Sequence, residues 1–344
     1  MIACPNGSPH DAVARLTAVQ AQDRPSSAWA VGLRTSNYTF SGIEQAVGSR
    51  SIVRTWLMRG TLHFTAAEDV RWILDLVAPK IIAGSKRRDE GLRLDAEVYE
   101  RSRDVFINAL KDRGQLTRSE MMNALEEEGV STAGQRGYHI LWHLALKKLI
   151  CFGPMVGKEQ SFVLLDDWIP EARSLSREQA LGKLAERYFT GHGPAAVQDL
   201  AWWSGITVSE ARKGVEIAGP RLVKETHGGV TYWSGRLDPS VQGPDAHLLP
   251  AYDEYIIGYR DRSAVLDDRH TKDVLSSNGV FYPALVIDGR VCGTWRATKK
   301  KGEVSIDLRP FSRLGREERK AVDGAAERYG NFLGQQVTTV GKHI

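Results

Sequence analysis

Apolar residues recur at helical spacing after Thr65, where Val70, Ile73, Leu74 and Val77 occupy one face at i, i+3, i+4 and i+7. Leu181, Leu184, Ala185 and Tyr188 repeat the pattern after Ser176. Both stretches open on a capping box, a Ser or Thr that caps a backbone N–H while a Glu or Gln three residues on reaches back. The box occurs at Ser41/Glu44, Thr65/Glu68, Thr117/Glu120, Ser176/Gln179 and Thr207/Glu210, each ahead of a stretch that reads as helical. Between these helices the pattern shortens to strand pairs rich in β-branched and aromatic residues. Ser51 to Met58 turns through Arg59-Gly60 into Thr61 to Thr65, and Leu149 to Phe152 is answered by Phe162 to Leu165. Leu222 to Thr226 turns through His227-Gly228-Gly229 into Val230 to Trp233.

Helices followed by a hairpin, three times over, is the element order of the winged helix. The three units span roughly 10–65, 115–166 and 176–235. From about Ala246 the pattern changes. An apolar run from Gly279 to Ile287, an Asp288-Gly289 turn, a strand from Val291 to Arg296, and alternating Val304, Ile306 and Leu308 predict an antiparallel meander. Val322, Ala325, Ala326, Tyr329 and Leu333 share a face of a closing helix. The predicted fold is mainly α with β (α+β): three tandem winged-helix modules plus a C-terminal antiparallel, barrel-like β domain with a terminal helix. Its expected division is 1–80, 81–170, 171–240 and 241–344.

A chain of 344 residues suits two to four domains, and 42% apolar with 26% charged residues is ordinary globular composition. No apolar run approaches the roughly 18 residues of a membrane span. The polar start, Met1 to His10, shows no signal-peptide pattern. Cys4, Cys151 and Cys292 are widely spaced and fit buried thiols in a reducing cytoplasm, with association to the nucleoid in a bacterial cell. The net charge of +4 permits a polyanionic partner without requiring one.

Around Tyr138, Leu141, Trp142, Ala145 and Leu149, the buried stripe of a presumed recognition helix, lie Arg136, His139, His143 and Lys147 at spacings of three and four. Such a strip suits phosphate contact, and equally a solvated face. Arg54, Trp56, Arg59 and His63 of the first wing suit groove insertion, while Trp56 and Phe64 also read as core. Lys299-Lys300-Lys301 at a hairpin tip is a soluble turn or a phosphate anchor. Asp253-Glu254, read as a strand, point to opposite faces and so suit structural roles better than joint acid/base work. No metal-ligand cluster, phosphate-binding Gly-rich loop or Gly-x-Ser-x-Gly motif is present, so neither a metal nor a nucleotide cofactor is expected. Gln20-Ala21-Gln22, taken alone, reads as a polar helix end.

Val19-Gln20-Ala21-Gln22-Asp23 followed by Thr55-Trp56-Leu57-Met58-Arg59-Gly60-Thr61-Leu62-His63 resembles the AlkZ/YcaQ-type winged-helix DNA glycosylases. So do His192-Gly193-Pro194, Trp202-Trp203-Ser204-Gly205, Leu248-Leu249-Pro250, Tyr252-Asp253-Glu254-Tyr255 and Gly293-Thr294-Trp295, in the family's order. The resemblance implies a concave, DNA-binding array of three winged helices and a catalytic Gln-apolar-Gln triplet, carried here by Gln20 and Gln22 around Ala21. With nineteen residues ahead of Gln20, the helix that supports the triplet is expected to be shortened or lost. The activity implied is hydrolysis of the N-glycosidic bond of cationic, N7-alkylated guanine or a related alkylpurine, bulky adducts and crosslinks included. Double-stranded DNA carrying alkylated bases would be the partner, no cofactor would be needed, and a monomer is the default state. A non-catalytic winged-helix protein, such as a transcription regulator, is the competing reading, and would prefer one sequence where a repair enzyme binds with little preference.

Overall fold

Each of the three predicted units has the same order in the computed structural model, which describes residues 2, 7–36, 38–171, 173–236, 245–300 and 302–341. A helix leads into a two-residue strand, two further helices follow, and a hairpin closes the unit. In the first, helix Pro9–Leu16 precedes β1 (Val19–Gln20), helices Arg24–Gly32 and Phe40–Gly48, and the hairpin β2 (Ile52–Trp56) and β3 (Leu62–Ala66). The second runs through helix Ala96–Arg113, β4 (Leu116–Thr117), helices Arg118–Glu127 and Arg136–Leu146, β5 (Ile150–Phe152) and β6 (Ser161–Leu164). The third has helix Arg177–His192, β7 (Ala195–Ala196), helices Val197–Ser204 and Val208–Ala218, and the hairpin β8 (Val223–His227) and β9 (Val230–Ser234). In every unit the short strand pairs antiparallel with the second hairpin strand. The Gly228-Gly229 turn has positive φ at both residues, the geometry of a tight hairpin.

Three of the five expected capping boxes form, at Thr117/Glu120, Ser176/Gln179 and Thr207/Glu210. Two do not. Thr39 caps helix Phe40–Gly48, which leaves Ser41 inside it and Glu44 paired with Arg24. Thr65 lies in β3 and donates its hydroxyl hydrogen to the Thr17 carbonyl at 3.0 Å. The helix ahead of the triplet, expected to be shortened or lost, is not lost: Pro9–Leu16 has eight residues, its own Ser8/Asp11 box and four buried residues.

The first two modules are less separate than their hairpins suggest. Arg54 of β2 pairs with Phe152 of β5, so both wings join one six-stranded sheet ordered β1-β3-β2-β5-β6-β4. The third wing keeps its own three-stranded sheet. One apolar core links the three modules through Trp56, Trp72, Phe106, Leu141, Phe162, Leu184 and Trp203. A second binds Val13, Trp29, Val31 and Ile43 of the first module to Leu248, Ile306, Val322 and Phe332.

The C-terminal sheet is ordered β10 (Ala246–Leu249), β11 (Ala284–Ile287), β12 (Arg290–Lys300), β13 (Glu303–Pro310) and β14 (Gln336–Gly341). It corrects the barrel-like expectation. The sheet is open, and β14, a β-branched run missed in the sequence, returns after helix Arg316–Leu333 to lie parallel to β13. A helical crossover brings a chain back in the direction it left, so the pairing is parallel. Cys151 is buried and Cys292 half-buried, both as free thiols; Cys4 and Lys301 lie outside the described residues. No helix among the described residues is long and apolar enough to cross a membrane.

Candidate active site

Gln20 and Gln22 differ in setting although a single residue separates them. Gln20 stands opposite His63 in the β1–β3 pair, so the two side chains leave the same face of the sheet. Ala21 continues the pairing, its N–H donating to the Leu62 carbonyl at 2.7 Å. The Leu62 N–H donates in turn to the Gln22 side-chain oxygen at 3.3 Å. Gln20 is recessed at 9% exposure and Ala21 is buried, whereas Gln22 is exposed. The chain then bends sharply, because Asp23 caps helix Arg24–Gly32 by accepting the Ser26 N–H at 2.9 Å.

Two buried charged side chains grip the backbone of this triplet. Arg54 Nε and Nη2 donate to the Ala21 carbonyl at 3.1 and 2.9 Å, and its guanidinium lies 4.6 Å from the Phe152 ring centre. Burial, reinforced by the nearby Arg24, pushes the Arg54 pKa down to about 10. Glu254 holds the other contact: Oε1 accepts the Gln20 backbone N–H at 2.8 Å, and Oε2 accepts Trp203 Nε1–H at 2.8 Å. Burial opposes ionisation of Glu254, but the His192 ring 3.6 Å away and the Gln20 N–H hold its carboxyl below the ordinary range.

Glu254 reaches this position because the segment before it is anchored to the first module. Trp29 Nε1–H donates to the Leu248 carbonyl and Trp295 Nε1–H to the Leu249 carbonyl, both at 2.7 Å. Arg34 clasps Asp253 with two bonds of 2.9 and 2.8 Å, both side chains almost fully buried. Asp253 also caps the short helix Glu254–Ile257, so the pair is not on a strand. At a helix start the two carboxylates diverge to separate partners, Arg34 and Gln20. Structural roles fit both, but Glu254 touches the triplet itself, which the strand reading missed along with its neighbours His192 and Trp203.

His63 is fully buried beside Gln20. Its Nδ1 lies 2.9 Å from the Thr61 carbonyl and therefore carries the proton, leaving Nε2 a bare acceptor with no partner among the described residues. Burial pushes its pKa down to about 4, so the ring is neutral at pH 7. His192 is buried against Tyr188, ring centres 4.7 Å apart, and burial lowers its pKa as well.

The expected DNA contacts divide sharply. Arg54 and His63 lie inside the protein, bonded to backbone carbonyls, and do not present themselves to phosphates. The strip on helix Arg136–Leu146 is also corrected. His139 binds Asp89 at 2.6 Å and stacks on Trp142, and His143 stacks on Tyr99 at 3.6 Å. Each is only 8% exposed, because helices Lys86–Leu92 and Ala96–Arg113 supply partners for that face. Arg136 is half-buried and donates to the Ser131, Leu92 and Arg93 carbonyls. Lys147, Lys299 and Lys300 are exposed. Arg59 is half-buried, in a left-handed turn at φ 56°, with its guanidinium 5.1 Å from the Trp202 ring centre. Trp56 and Phe64 are core residues.

Three helix-and-hairpin units of winged-helix order in tandem, with two neutral amides on a held backbone at the edge of the first wing's sheet, are the architecture of a DNA-binding protein. The chain belongs to the AlkZ-like DNA glycosylases: the model of that family matches residues 13–332. It is 26% identical to an interstrand DNA cross-link repair glycosylase of Streptomyces sahachiroi, over 93% of this chain and 89% of that one. The solved structure of Streptomyces sahachiroi DNA glycosylase AlkZ matches with a TM-score of 0.78 at 23% identity, covering 98% of this chain and 94% of the other. The protein is thus an enzyme of the DNA glycosylase class, and DNA is its partner, as the motif order implied.

Proposed function

We propose that the protein, acting as a monomer, hydrolyses the N-glycosidic bond of N7-alkylated guanine in duplex DNA, including guanine in interstrand crosslinks. Crosslink repair is the function named for the Streptomyces sahachiroi relative. The observation that carries the reading is the held backbone of Gln20-Ala21, bonded through Gln20 N–H, Ala21 N–H and Ala21 carbonyl, from which the two side-chain amides leave on either side of Ala21. Alkylation at N7 makes the base cationic, so it departs without being protonated. The C1′–N9 bond breaks, its electron pair neutralises the purine, and water adds to C1′ and loses a proton to solvent. Amide oxygens orient that water and favour the positive charge growing on the sugar. A Gln is a poor general base, and Glu254, the buried carboxylate that touches the triplet, is bonded at both oxygens. Intact guanine is therefore left alone.

The test is release of 7-methylguanine from methylated duplex DNA, followed by mass spectrometry. Gln20→Ala and Gln22→Ala should each lower single-turnover release by roughly 10²-fold or more. Retained release in both variants would move the chemistry elsewhere, and no release by the wild type would remove the proposed substrate.

A further inference from the structure

Glu254 is fully buried, and its two oxygens are spent on N–H groups of the site: Gln20 backbone and Trp203 indole. Among the described residues no Lys or Arg lies within ion-pair distance of it. The groups around it are His192 from helix Arg177–His192, His63 from β3, and Tyr188 and Tyr259 at longer range. Two cations also act on it from a distance. Arg34 is already clasped by Asp253, and Arg59 is held over Trp202. Burial pushes the pKa of both histidines down, and His63 is neutral at pH 7. A buried carboxylate without a cation bonded to it is costly to keep, and such groups collect where a charge is needed.

The proposed reaction supplies the need. Positive charge sits first on the alkylated purine and then on the sugar, while the two glutamines bring dipoles but no net charge. We infer that Glu254 is a positioning residue for Gln20 whose negative charge makes the site select for positive charge. Its bond to the Gln20 N–H fixes where the amide stands. Its charge, 2.8 Å from the backbone nitrogen of Gln20 and poorly screened in the protein interior, lowers the potential where the cationic base and sugar are held. The inference rests on the glycosylase reading of Gln20 and Gln22.

The experiment compares duplexes carrying a protonated pyrrolidine in place of the sugar ring, a stand-in for the charged sugar, with duplexes carrying a neutral tetrahydrofuran at the same position. The wild type should bind the cationic probe more tightly. Glu254→Gln should reduce that preference roughly tenfold or more, about 1.4 kcal/mol, with affinity for the neutral probe within about twofold. Release of 7-methylguanine should fall in parallel. Trp203→Phe removes the second N–H donor while keeping the charge, and should retain the preference. Preference kept in Glu254→Gln, or lost equally in Trp203→Phe, overturns the inference while leaving the glutamines' role intact. If Glu254→Gln does not fold, the wild type decides. A preference set by a buried charge persists from 0.1 to 0.5 M salt as overall affinity falls, whereas one that decays along with the affinity belongs to surface charges and overturns the inference. A wild type that releases no 7-methylguanine removes the reading on which both rest.

Discussion

Arg54→Met separates the stability of the fold from the alignment of the triplet. The substitution keeps an apolar stem against Phe152 and removes both bonds to the Ala21 carbonyl. Leaving that buried oxygen unpaired costs about 1–3 kcal/mol, and loss of the guanidinium over Phe152 about another 1–2. Against this stands relief from burying the charge. With the pKa pushed down from 12.5 to about 10, the cation is disfavoured by about 3 kcal/mol, at about 1.4 kcal/mol per unit. The terms nearly cancel, so the net change in unfolding free energy should stay within about 2 kcal/mol. Positioning has no such compensation. Ala21 lies between the two glutamines, and freeing its carbonyl by even about 1 Å should lower excision roughly 10²-fold. Urea unfolding and single-turnover release of 7-methylguanine, measured on the same preparation, give both quantities. A variant that excises at the wild-type rate, or one destabilised by well over 4 kcal/mol, would refute the reasoning: the first denies the clamp, the second denies that the buried cation is strained.

Acid should destabilise the protein through His63 and His143, whose pKa values burial pushes down to about 4. Both stay neutral when folded and take up protons when unfolded, so their contribution is complete above about pH 6.5 and is lost as the pH falls towards 4, by about 3 kcal/mol for His63 and by less for His143, which solvent partly screens. His143→Phe should keep a ring against Tyr99 and flatten the pH dependence of unfolding over that window; an unchanged slope would sink this account. Helix caps give a contrast within one chain. Thr117→Ala, which breaks a formed capping box, should cost about 1 kcal/mol in chemical unfolding, whereas Ser41→Ala should cost less than about 0.5, because Thr39 holds that helix end.

The modules were legible because their signals are local. The Gly228-Gly229 and Asp288-Gly289 turns need backbone conformations that few other residue pairs adopt, and each stands between runs of β-branched or apolar residues. Periodicity showed that His139 and His143 share a helix face, but not what covers it, and the covering side chains, Asp89 and Tyr99, come from other helices. Thr65 carried the capping pattern and lost it to a strand, since the β3 ladder had already claimed its backbone. Gln20 and Gln22 came from the order of motifs, since nothing in the triplet itself distinguishes it from a helix end. The groups that hold it were invisible for a simple reason: Arg54 acts across 33 positions and Glu254 across 234. Assigning Asp253-Glu254 to a strand hid the second of these, because a helix start sends the two side chains to different partners.

The seam between the first two wings has a mechanical meaning. β2 meets β5 at one residue pair, Arg54 with Phe152, and that same arginine holds the Ala21 carbonyl. Alongside the apolar core that the two modules share, the wing of the second module and the strand bearing the glutamines therefore both meet Arg54. A change at the seam that moves Arg54 therefore reaches the Ala21 carbonyl directly, and the alignment of the amides depends on how the two wings are joined.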